Sequence, residues 1–377
     1  MHLHLLSFTI PYPADYGGVI DVYEKIRALH AEGVRIHLHC FAYNRPEAPE
    51  LKAYCTEVYY YKRRTGFSLR MPYIVSSRRS EDLMHILDKD DYPILAEGIH
   101  TSYALLQGRW PGRVVALRLH NVEARYYKNL ATTAQYKLYY TIEGWLLSRW
   151  ERKAASLPLL AIHPGVKRYF EGHYGAKDVT YLPAFTSYEP GHNPTGRGAY
   201  VLVHGDFSVA DNVASLRWLL AEVKGGDALP WIVAGRKPDA QTQRMVQAHP
   251  GVRFIADPGA EEMEALIRDA QVHLVHSFNP EGIKIKLLHA LFLGRHCIAH
   301  KSLLEGTGLE ETCKAAADAA SFKAALNIWW EAPFTEADKA VRTRVLLQQF
   351  DNRANALHLI KKLGEANGAQ SAATGDA

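Results

Sequence analysis

Short apolar runs alternate with longer amphipathic stretches along most of the chain. Runs such as LHLLSF (3–8) and RIHLHCFAY (35–43) have the length and composition of buried strands. The stretches between them are typical of amphipathic helices, the first from about Val19 to Glu32. This alternation predicts parallel sheets covered by helices on both faces, as in doubly wound α/β domains.

Two such sets of elements are separated by a segment rich in proline and glycine, TYLPAFTSYEPGHNPTGRG. Prolines and glycines interrupt regular elements, so this segment is interpreted as the connection between two domains. A chain of 377 residues is long enough for both. The predicted organisation is a Rossmann-like domain at 1–182, a linker at 183–198, a second Rossmann-like domain at 199–333, helices that pack back toward the first domain at 334–363, and a disordered tail at 364–377.

Composition and charge exclude several classes of protein. The formal net charge of +4 is too small to indicate nucleic acid as a partner. No run of eighteen apolar residues is present, and the N-terminus lacks the basic segment of a secretion signal. The four cysteines are widely spaced and form no CxxC pair, which is typical of reduced cysteines. We therefore expect a cytoplasmic protein.

Polar residues that directly follow the predicted strands are the candidate site residues. Doubly wound sheets bind their ligands beyond the carboxyl ends of the strands, and two such domains face a central cleft. In the first half these residues are Gly17, Gly18, Glu97, His100, His120 and Asn121. In the second half they are Gly205, Asp206, Gly235, Arg236 and the stretch that begins at His276.

The segment HSFNPEGIKIKLLHALFLGRHCIAH (276–300) places two lysines at the start of a predicted helix. The positive end of the helix dipole disfavours cations there, so Lys284 and Lys286 indicate a more negative ligand. Backbone amides of Gly282 and Ile283 together with two ammonium groups would suit a diphosphate. Solvated lysines lying along the helix are the alternative, which the apolar residues around Lys286 disfavour.

Several segments resemble glycosyltransferase family 4, whose members have the two-domain GT-B fold. HSFNPEGIKIKLLHALFLGR is similar to the donor-binding segment, with Glu281 and Gly282 at the family's Glu-Gly pair. Its Gly-x-Lys-x-Lys spacing resembles the branch that holds the donor diphosphate with a lysine. VHGDFSVADNVASLRWLL (203–220) resembles the first strand and loop of the second domain in that branch. LHNVEARYYKNLA (119–131) resembles the segment near the reacting sugar, and PADYGG (13–18) the N-terminal glycine loop.

The resemblance implies a glycosyltransferase of cell-surface polysaccharide or glycolipid synthesis. Such an enzyme moves a sugar from a nucleotide diphosphate sugar to a hydroxyl acceptor, a glycan or a lipid-linked one, with retention and without a metal or other cofactor. It implies that the first domain binds the acceptor and the second the donor, with His120 as the catalytic residue. The implied acceptor-facing or sugar-facing residues are Gly17, Gly18, Glu97, His100 and Asn121. The implied donor-binding residues are Gly205, Asp206, Glu281, Gly282, Ile283, Lys284, Lys286 and His289.

The chain departs from the family pattern at two places. His289 stands where the family has a second Glu that grips the nucleotide ribose, although a neutral imidazole can also bond a ribose hydroxyl. Asp206, Phe207 and Asn212 stand where many members have an Arg and a Lys. These departures leave open a catalytically weakened GT-B scaffold in a polysaccharide assembly complex. The other alternative is a sugar nucleotide 2-epimerase, which would use the same cleft without an acceptor.

The stretch from Val58 to Ser80 contains six basic residues, no acidic one, and interleaved apolar residues. Two interpretations stay open, a solvated face beside a core helix and contact with an anionic membrane surface. The basic residues are Lys62, Arg63, Arg64, Arg70, Arg78 and Arg79.

Two pairs of histidines alternate along predicted strands, His2 with His4 and His37 with His39. Alternate positions of a strand share a face, so each pair points to one side of the sheet. A metal site is disfavoured, because no carboxylate or cysteine joins these histidines at ligand spacing.

Overall fold

The computed structural model describes residues 1–66, 68–108, 110–133, 136–226, 228–279 and 282–373. The chain forms two compact units. The first comprises Met1–Ser187 and the segment from Phe350 onward, and the second comprises Tyr188–Gln349.

The first unit contains a seven-stranded parallel sheet. Its strands are β1 (His2–Ser7), β2 (Arg35–Ala42), β3 (Glu57–Lys62), β4 (Ile94–Glu97), β5 (Val115–Leu119), β6 (Leu159–Ala161) and β7 (Val179–Tyr181). They lie in the order β3-β2-β1-β4-β5-β6-β7. The chain therefore starts in the middle of the sheet, extends to one edge and then crosses to the other side, as in a doubly wound domain.

Helices cover both faces of this sheet. They are α1 (Gly17–Ala31), α2 (Tyr73–Ser76), α3 (Glu81–Leu87), α4 (Tyr103–Gln107), α5 (Glu123–Thr133), α6 (Lys137–Ala154) and α7 (Pro164–Tyr174), with 3-10 turns at Pro49–Ala53 and Ile99–Thr101. Alternate residues of β1 belong to two different cores, Leu3 and Leu5 to one and Leu6 to the other. Burial on both faces explains why the strands are nearly continuous apolar runs.

The second unit contains a six-stranded parallel sheet. Its strands are β8 (Val201–Asp206), β9 (Trp231–Arg236), β10 (Val252–Ala256), β11 (Val272–Val275), β12 (His296–His300) and β13 (Lys314–Ala316), in the order β10-β9-β8-β11-β12-β13. Its helices are α8 (Ala210–Trp218), which continues as a π-helical segment at Leu219–Lys224, α9 (Ala240–Gln247), α10 (Ala260–Asp269), α11 (Ile285–Leu293), α12 (Ala319–Glu331) and α13 (Glu336–Phe350), with 3-10 turns at Lys301–Leu303 and Glu310–Thr312. The expected second doubly wound domain is therefore present.

The C-terminal helices divide between the two units. Helix α13 belongs to the second unit, whereas the following helix, α14 (Asn352–Ala373), packs against α1 of the first unit. The C-terminal helices were expected to pack back toward the first domain from residue 334 onward. The chain rejoins the first unit at Phe350. None of the described helices is both long enough and apolar enough to cross a bilayer.

Two segments predicted to be irregular are structured. In the predicted linker, the amide of Asn193 is buried and donates to the carbonyls of Leu291 and Gly294, and Gly196 pairs with Phe334. Its second part therefore belongs to the second unit. The predicted disordered tail continues α14 as far as Ala373, in keeping with the helix propensity of its alanines and glutamine, while 374–377 lie outside the described residues.

Candidate functional site

Five ionisable side chains meet in the first unit, where β4 and β5 end beside α1. We call them the buried charge cluster: Asp21, Lys25, Glu97, Arg118 and His120. The side chains of the first four are at most 1% exposed, and that of His120 is 10% exposed. Charges at such depth are stable only when each is paired and hydrogen-bonded.

Lys25 connects the two carboxylates of the cluster. Its ammonium group donates to Glu97 Oε1 at 2.7 Å and to Asp21 Oδ2 at 3.0 Å. Burial alone would raise the pKa of Glu97, but the charge of Lys25 and the hydrogen bond from His120 outweigh it and lower that pKa. Glu97 is therefore an ionised carboxylate that neighbouring side chains fully engage. Its side chain is directed to Lys25 and His120 inside the unit, and the predicted contact of Glu97 with a sugar stays a prediction.

Arg118 holds Asp21 from the other side. Its guanidinium donates to both oxygens of Asp21 at 2.9 and 3.0 Å, and to the carbonyls of Leu182 and Pro183 at 2.9 Å. The amide of Phe185 also donates to Asp21, at 2.8 Å. Burial would raise the pKa of Asp21, but Arg118 and Lys25 lower it well below its usual range.

Asp21, Glu97 and His120 are also the described residues whose ligand atoms lie close enough together to hold a metal ion, within 4.8 Å of one another. Every carboxylate oxygen in this group already accepts a hydrogen bond from Lys25, Arg118, His120 or a backbone amide. A cation would have to enter beside two buried cations. The donor set thus suits a closed ion-pair network better than a metal site.

His120 directly follows β5 and connects the cluster to the start of α1. Its Nε2 lies 2.9 Å from Glu97 Oε2 and 4.0 Å from Asp21 Oδ2. Its Nδ1 faces the helix start, because a Cβ at Gly18 would lie 3.9 Å from it. That same Cβ would lie 3.0 Å from Phe8, so a side chain at position 18 would crowd the ring. The structure therefore brings together Gly18 and His120, two of the residues that the sequence singled out.

The other predicted residues of the first unit lie around this point. Gly17 is the first residue of α1. The ring of His100 lies 5.3 Å from that of Phe8, and burial lowers the pKa of His100 well below its usual value. Asn121 follows His120 and hydrogen-bonds the buried carboxyl group of Glu123, whose pKa burial raises. These residues thus form one neighbourhood at the carboxyl ends of the strands.

In the second unit, the ammonium group of Lys286 lies at the beginning of α11. It donates to Asn212 Oδ1 at 3.0 Å and to the carbonyl of His276 at 2.7 Å. Burial lowers the pKa of Lys286 to about 8, an effect that the nearby carboxylate of Asp211 partly opposes. The same Asn212 donates to the carbonyl of Asp206, which links the end of β8 to α11. Lys286, Gly205 and Asp206 therefore form one neighbourhood.

An arginine of β9 lies beside the strand that departs from the family pattern. Arg236 donates to Asp206 Oδ2 at 3.0 Å, and Ser208 donates to Asp206 Oδ1. Phe207 is buried and contacts Phe254 in the core, so it does not face a ligand. A cation of the neighbouring strand thus lies at the end of β8, where it is paired with Asp206.

Asp211 shapes the loop that precedes α11. Its carboxylate accepts hydrogen bonds from Ser277 Oγ at 2.6 Å and from the amides of Phe278 and Asn279 at 3.0 and 3.2 Å. The carbonyl of His276 in this loop is the partner of Lys286. Asp211 therefore positions the loop and brings a negative charge near Lys286. Nothing in the local sequence marks Asp211 as a site residue.

The remaining donor-site predictions fall on the loop and on α11. Gly282 has a φ of 69°, a left-handed conformation that favours glycine, and Lys284 precedes the first residue of α11. His289 is half-buried, with its ring 5.3 Å from Tyr188 and 6.2 Å from His204. Burial lowers the pKa of His289 to about 4. Ile283 lies in the same loop, whereas Glu281 lies outside the described residues.

The alternating histidines of β1 and β2 form hydrogen-bonded pairs. His2 Nδ1 lies 2.9 Å from His37 Nε2, and His4 Nδ1 lies 2.8 Å from His39 Nε2. The two facing nitrogens of each pair are at hydrogen-bond distance, so one of them carries a proton that it donates to the other. We call these four histidines the histidine ladder. Its outer ring nitrogens contact two carboxylates and a phenol that lie far away in the sequence: Asp90 for His4, Glu57 for His37 and Tyr61 for His39.

Comparison with known sequences gives one distant relative and no family model that matches. The relative is a Klebsiella pneumoniae protein described as an uncharacterized 44.6 kDa protein in cps region. It is 23% identical over 338 residues, which cover 81% of this chain and 84% of that protein.

Solved structures match over nearly the whole chain. The N-terminal domain of Candida albicans trehalose-6-phosphate phosphatase has a TM-score of 0.65 at 11% identity and covers 97% of this chain and 96% of its own. A mutant of S. aureus TarM, solved with fondaparinux, α-GlcNAc-glycerol and UDP, has a TM-score of 0.67 at 8% identity, covering 96% and 99%. WaaG, a glycosyltransferase involved in lipopolysaccharide biosynthesis, has a TM-score of 0.64 at 11% identity, covering 96% and 99%.

These likenesses establish the fold. The two parallel α/β units have the GT-B architecture that the sequence predicted. Because the identities are so low, they carry no further conclusion about substrates or about the role of single residues.

Proposed function

We propose that the protein is a glycosyltransferase that moves a sugar from a nucleoside diphosphate sugar to a hydroxyl acceptor, in the synthesis of a cell-surface polysaccharide or glycolipid. The observation that carries the proposal is the half-buried ammonium group of Lys286 at the start of α11. The fold shared with WaaG and with UDP-bound TarM supports it, as does the cps-region origin of the relative.

Lys286 suits a diphosphate because both described partners of its ammonium group are neutral. Asn212 and the carbonyl of His276 orient the group without cancelling its charge, and the nearby carboxylate of Asp211 offsets the effect of burial only in part. Burial disfavours that charge, as the lowered pKa of about 8 reflects, so an anion at this point would be bound strongly. The charge-assisted bonds would be strongest to the departing diphosphate, where negative charge develops during transfer.

The finer features of the reaction rest on the family resemblance and are part of the proposal. The enzyme would retain the configuration at the anomeric carbon and would act without a metal. Retention rests on the resemblance alone. The absence of a metal is supported by two carboxylates of the second unit that already accept hydrogen bonds from protein groups. Asp206 accepts from Arg236 and Ser208, and Asp211 accepts from the loop before α11. The diphosphate would then be neutralised by protein cations, with Lys284 and Arg236 as further candidates.

Replacement of Lys286 by alanine is the test. We expect the binding of UDP, GDP or ADP, whichever binds wild type best, to weaken by about 1.5–3 kcal/mol, the usual contribution of a hydrogen bond to a charged group. Isothermal titration calorimetry would measure it. Lys323→Ala, which removes an exposed lysine of α12, is the matched control and should leave the affinity unchanged.

The alternatives predict different outcomes of the same experiment. A scaffold protein would bind none of the three nucleotides. An epimerase would bind one of them and convert its sugar without an acceptor, whereas a transferase would release the nucleotide only when an acceptor is present. Equal affinity in wild type and Lys286→Ala would refute the assignment of the lysine to the diphosphate.

We also propose that the first unit docks on an anionic membrane that carries the acceptor. Exposed apolar side chains lie on α6, on the residue before it and on the segment before α2. The amide of Tyr73 donates to Glu143 of α6 at 2.8 Å. Of the six basic residues at 58–80, three are exposed. The exposed side chains are Leu69, Tyr136, Leu138 and Trp145 for the apolar set and Lys62, Arg64 and Arg70 for the basic set.

The other three basic residues serve the fold. Arg78 is buried and donates to the carbonyls of Phe8 and Ile74 at 2.7 Å. The guanidinium of Arg63 stacks on Tyr43, 3.9 Å from the ring centre, and that of Arg79 lies 5.1 Å from the ring of Tyr103. Arg78 is therefore not a surface cation, and its replacement would disturb the core instead of testing membrane contact.

Liposome sedimentation would test the membrane proposal. Each basic side chain near an anionic surface contributes about 1 kcal/mol, which salt screens. The protein should sediment with vesicles that contain phosphatidylglycerol at low salt, and less so at high salt. The triple variant Lys62→Ser, Arg64→Ser, Arg70→Ser should stay in the supernatant. A wild-type protein that never sediments would favour a soluble acceptor.

A further inference from the structure

The two ring nitrogens of His120 have different surroundings. Nε2 lies 2.9 Å from the carboxylate of Glu97, deep in the buried charge cluster. Nδ1 faces the first turn of α1 at Gly18. Since only one nitrogen of a neutral imidazole carries a proton, the position of that proton decides what His120 offers at the helix start.

Charge counting in the cluster favours a neutral His120. Asp21 and Glu97 carry two negative charges, and Lys25 and Arg118 carry two positive ones, so the four buried groups balance. A protonated His120 would add a positive charge at 10% exposure with no carboxylate left to offset it.

Charged groups on the neighbouring elements do not change this balance. Glu123 of α5 lies close enough to interact electrostatically with both His120 and Arg78. If Glu123 is ionised, its negative charge and the positive charge of Arg78 cancel each other. A protonated Glu123 would leave Arg78 as an additional positive charge and would disfavour an imidazolium further. His100 faces the same region and is kept neutral by its burial.

The position of the proton follows from Glu97. Lys25 donates to Glu97 Oε1, so the carboxylate is ionised and Oε2 acts as an acceptor. A neutral His120 must then carry its proton on Nε2 and donate it to Oε2. The lone pair at Nδ1 stays available toward Gly18.

We propose that Glu97 and Lys25 are positioning residues that hold His120 neutral with its proton on Nε2, so that Nδ1 is the hydrogen-bond acceptor offered to a substrate. The substrate contact of His120 rests on the proposed function, whereas its protonation state does not. Glu97 and Lys25 would act only through His120, since neither is exposed. Asp21 and Arg118 would in turn fix Lys25 and complete the charge balance.

Nitrogen-15 NMR of histidine-labelled full-length protein tests this directly. Two-bond proton–nitrogen correlations distinguish the two neutral tautomers from the imidazolium, and the spectrum of His120→Asn identifies the His120 signals. We expect the Nε2–H tautomer in the unliganded wild type at neutral pH. A proton on Nδ1, or on both nitrogens, would overturn the proposal.

Lys25→Met provides the second measurement. Without Lys25 the cluster has one excess negative charge, so we expect His120 to take up a second proton and become an imidazolium at neutral pH. The matched control is Arg27→Met, which removes a cation of the same helix whose side chain is 48% exposed and paired with Glu24. It should leave the tautomer unchanged. If Lys25→Met folds and His120 keeps its wild-type state, Lys25 has no positioning role.

This result is independent of the nucleotide experiment, which concerns Lys286 in the second unit. The Nε2–H tautomer without any nucleotide binding would leave the positioning arrangement intact and remove the proposed function. Nucleotide binding together with the wrong tautomer would remove the positioning proposal alone. If Lys25→Met does not fold, the wild-type spectrum still decides.

Discussion

Asp21→Ala is expected to destabilise the first unit by about 3–5 kcal/mol, the usual effect of removing one partner from a buried ion pair. Asp21 is fully buried and accepts from Lys25, from Nε and Nη2 of Arg118 and from the amide of Phe185. Its loss leaves two cations that share the single carboxylate of Glu97. The free energy of unfolding in urea, followed by circular dichroism, would measure the effect.

A surface acid of the same unit provides the control. Asp178 pairs with Lys362 of α14 at 2.8 Å, with side chains 45% and 32% exposed. Because exposed pairs contribute little, Asp178→Ala should cost about 1 kcal/mol or less. Similar losses in the two variants would show that the cluster at Asp21 is not the closed ion network described above.

The double variant Asp21→Leu, Arg118→Met sharpens this test. Replacing both partners by apolar side chains removes the uncompensated charge that each single change leaves. We therefore expect the double variant to be more stable than Asp21→Ala. A loss equal to the sum of the two single changes would mean that Asp21 and Arg118 act independently.

The fold was largely predictable because burial on both faces leaves a strong pattern. Strands such as β1 and β8 are short continuous apolar runs, and their order with the intervening helices implies parallel sheets. The elements that the pattern missed are short or lie at an edge. Strand β3 carries the tyrosines and charges of a sheet edge, and β13 has only three residues.

The buried charge cluster could be predicted only in part. Glu97 ends β4 and His120 follows β5, so the usual position of ligand sites in doubly wound sheets singled them out. Arg118 is inside an apolar strand and Asp21 is on a helix, 97 positions earlier in the sequence. Nothing local to either residue indicates that they pair. Asp21 and Arg118 meet only because the fold places α1 beside β5.

The departures from the family pattern after β8 show the same limit. The sequence has no cation at the end of β8, where the family pattern has one. The structure places Arg236 of the adjacent strand against Asp206, and parallel register sets the two residues side by side. The family pattern covers only the segment around β8. The cation that lies at this point, Arg236, belongs to β9.

Acidification from about pH 7 to pH 5 is expected to destabilise the whole protein, because many of its 19 histidines are buried as neutral groups. Among the described histidines, burial lowers the pKa of nine, in two cases to about 4, those of His276 and His289. The other seven are His2, His4, His39, His100, His204, His273 and His296.

The direction follows from where each state binds protons. An unfolded histidine takes up its proton near pH 6.5, at about its reference pKa. Below that pH the unfolded chain binds more protons than the folded protein, so acid favours unfolding. The stability from a neutral buried histidine is fully present above about pH 6.5 and is lost toward its folded pKa, by at most about 1.4 kcal/mol per pH unit for each proton.

Buried carboxyl groups with raised pKa values oppose this trend. Burial raises the pKa of Glu24, Glu123 and Glu143, and that of Glu151 to about 8. Their contribution to stability is present below about pH 4.5 and is lost as the pH rises through the folded pKa. Among the described residues, the nine histidines with lowered pKa values outnumber these four carboxyl groups. We therefore expect the histidines to decide whether acidification lowers or raises the stability between about pH 6.5 and 4.5.

Urea unfolding at a series of pH values between 7 and 5 would measure this slope. His39→Gln removes one imidazole of the ladder, whose burial lowers its pKa well below the usual value, and should reduce the slope by up to one proton. His85→Gln, on the exposed face of α3, is the control for the loss of an imidazole. Stability that rises on acidification would mean that the carboxyl groups dominate. An unchanged slope in His39→Gln would mean that the ladder accepts protons without unfolding.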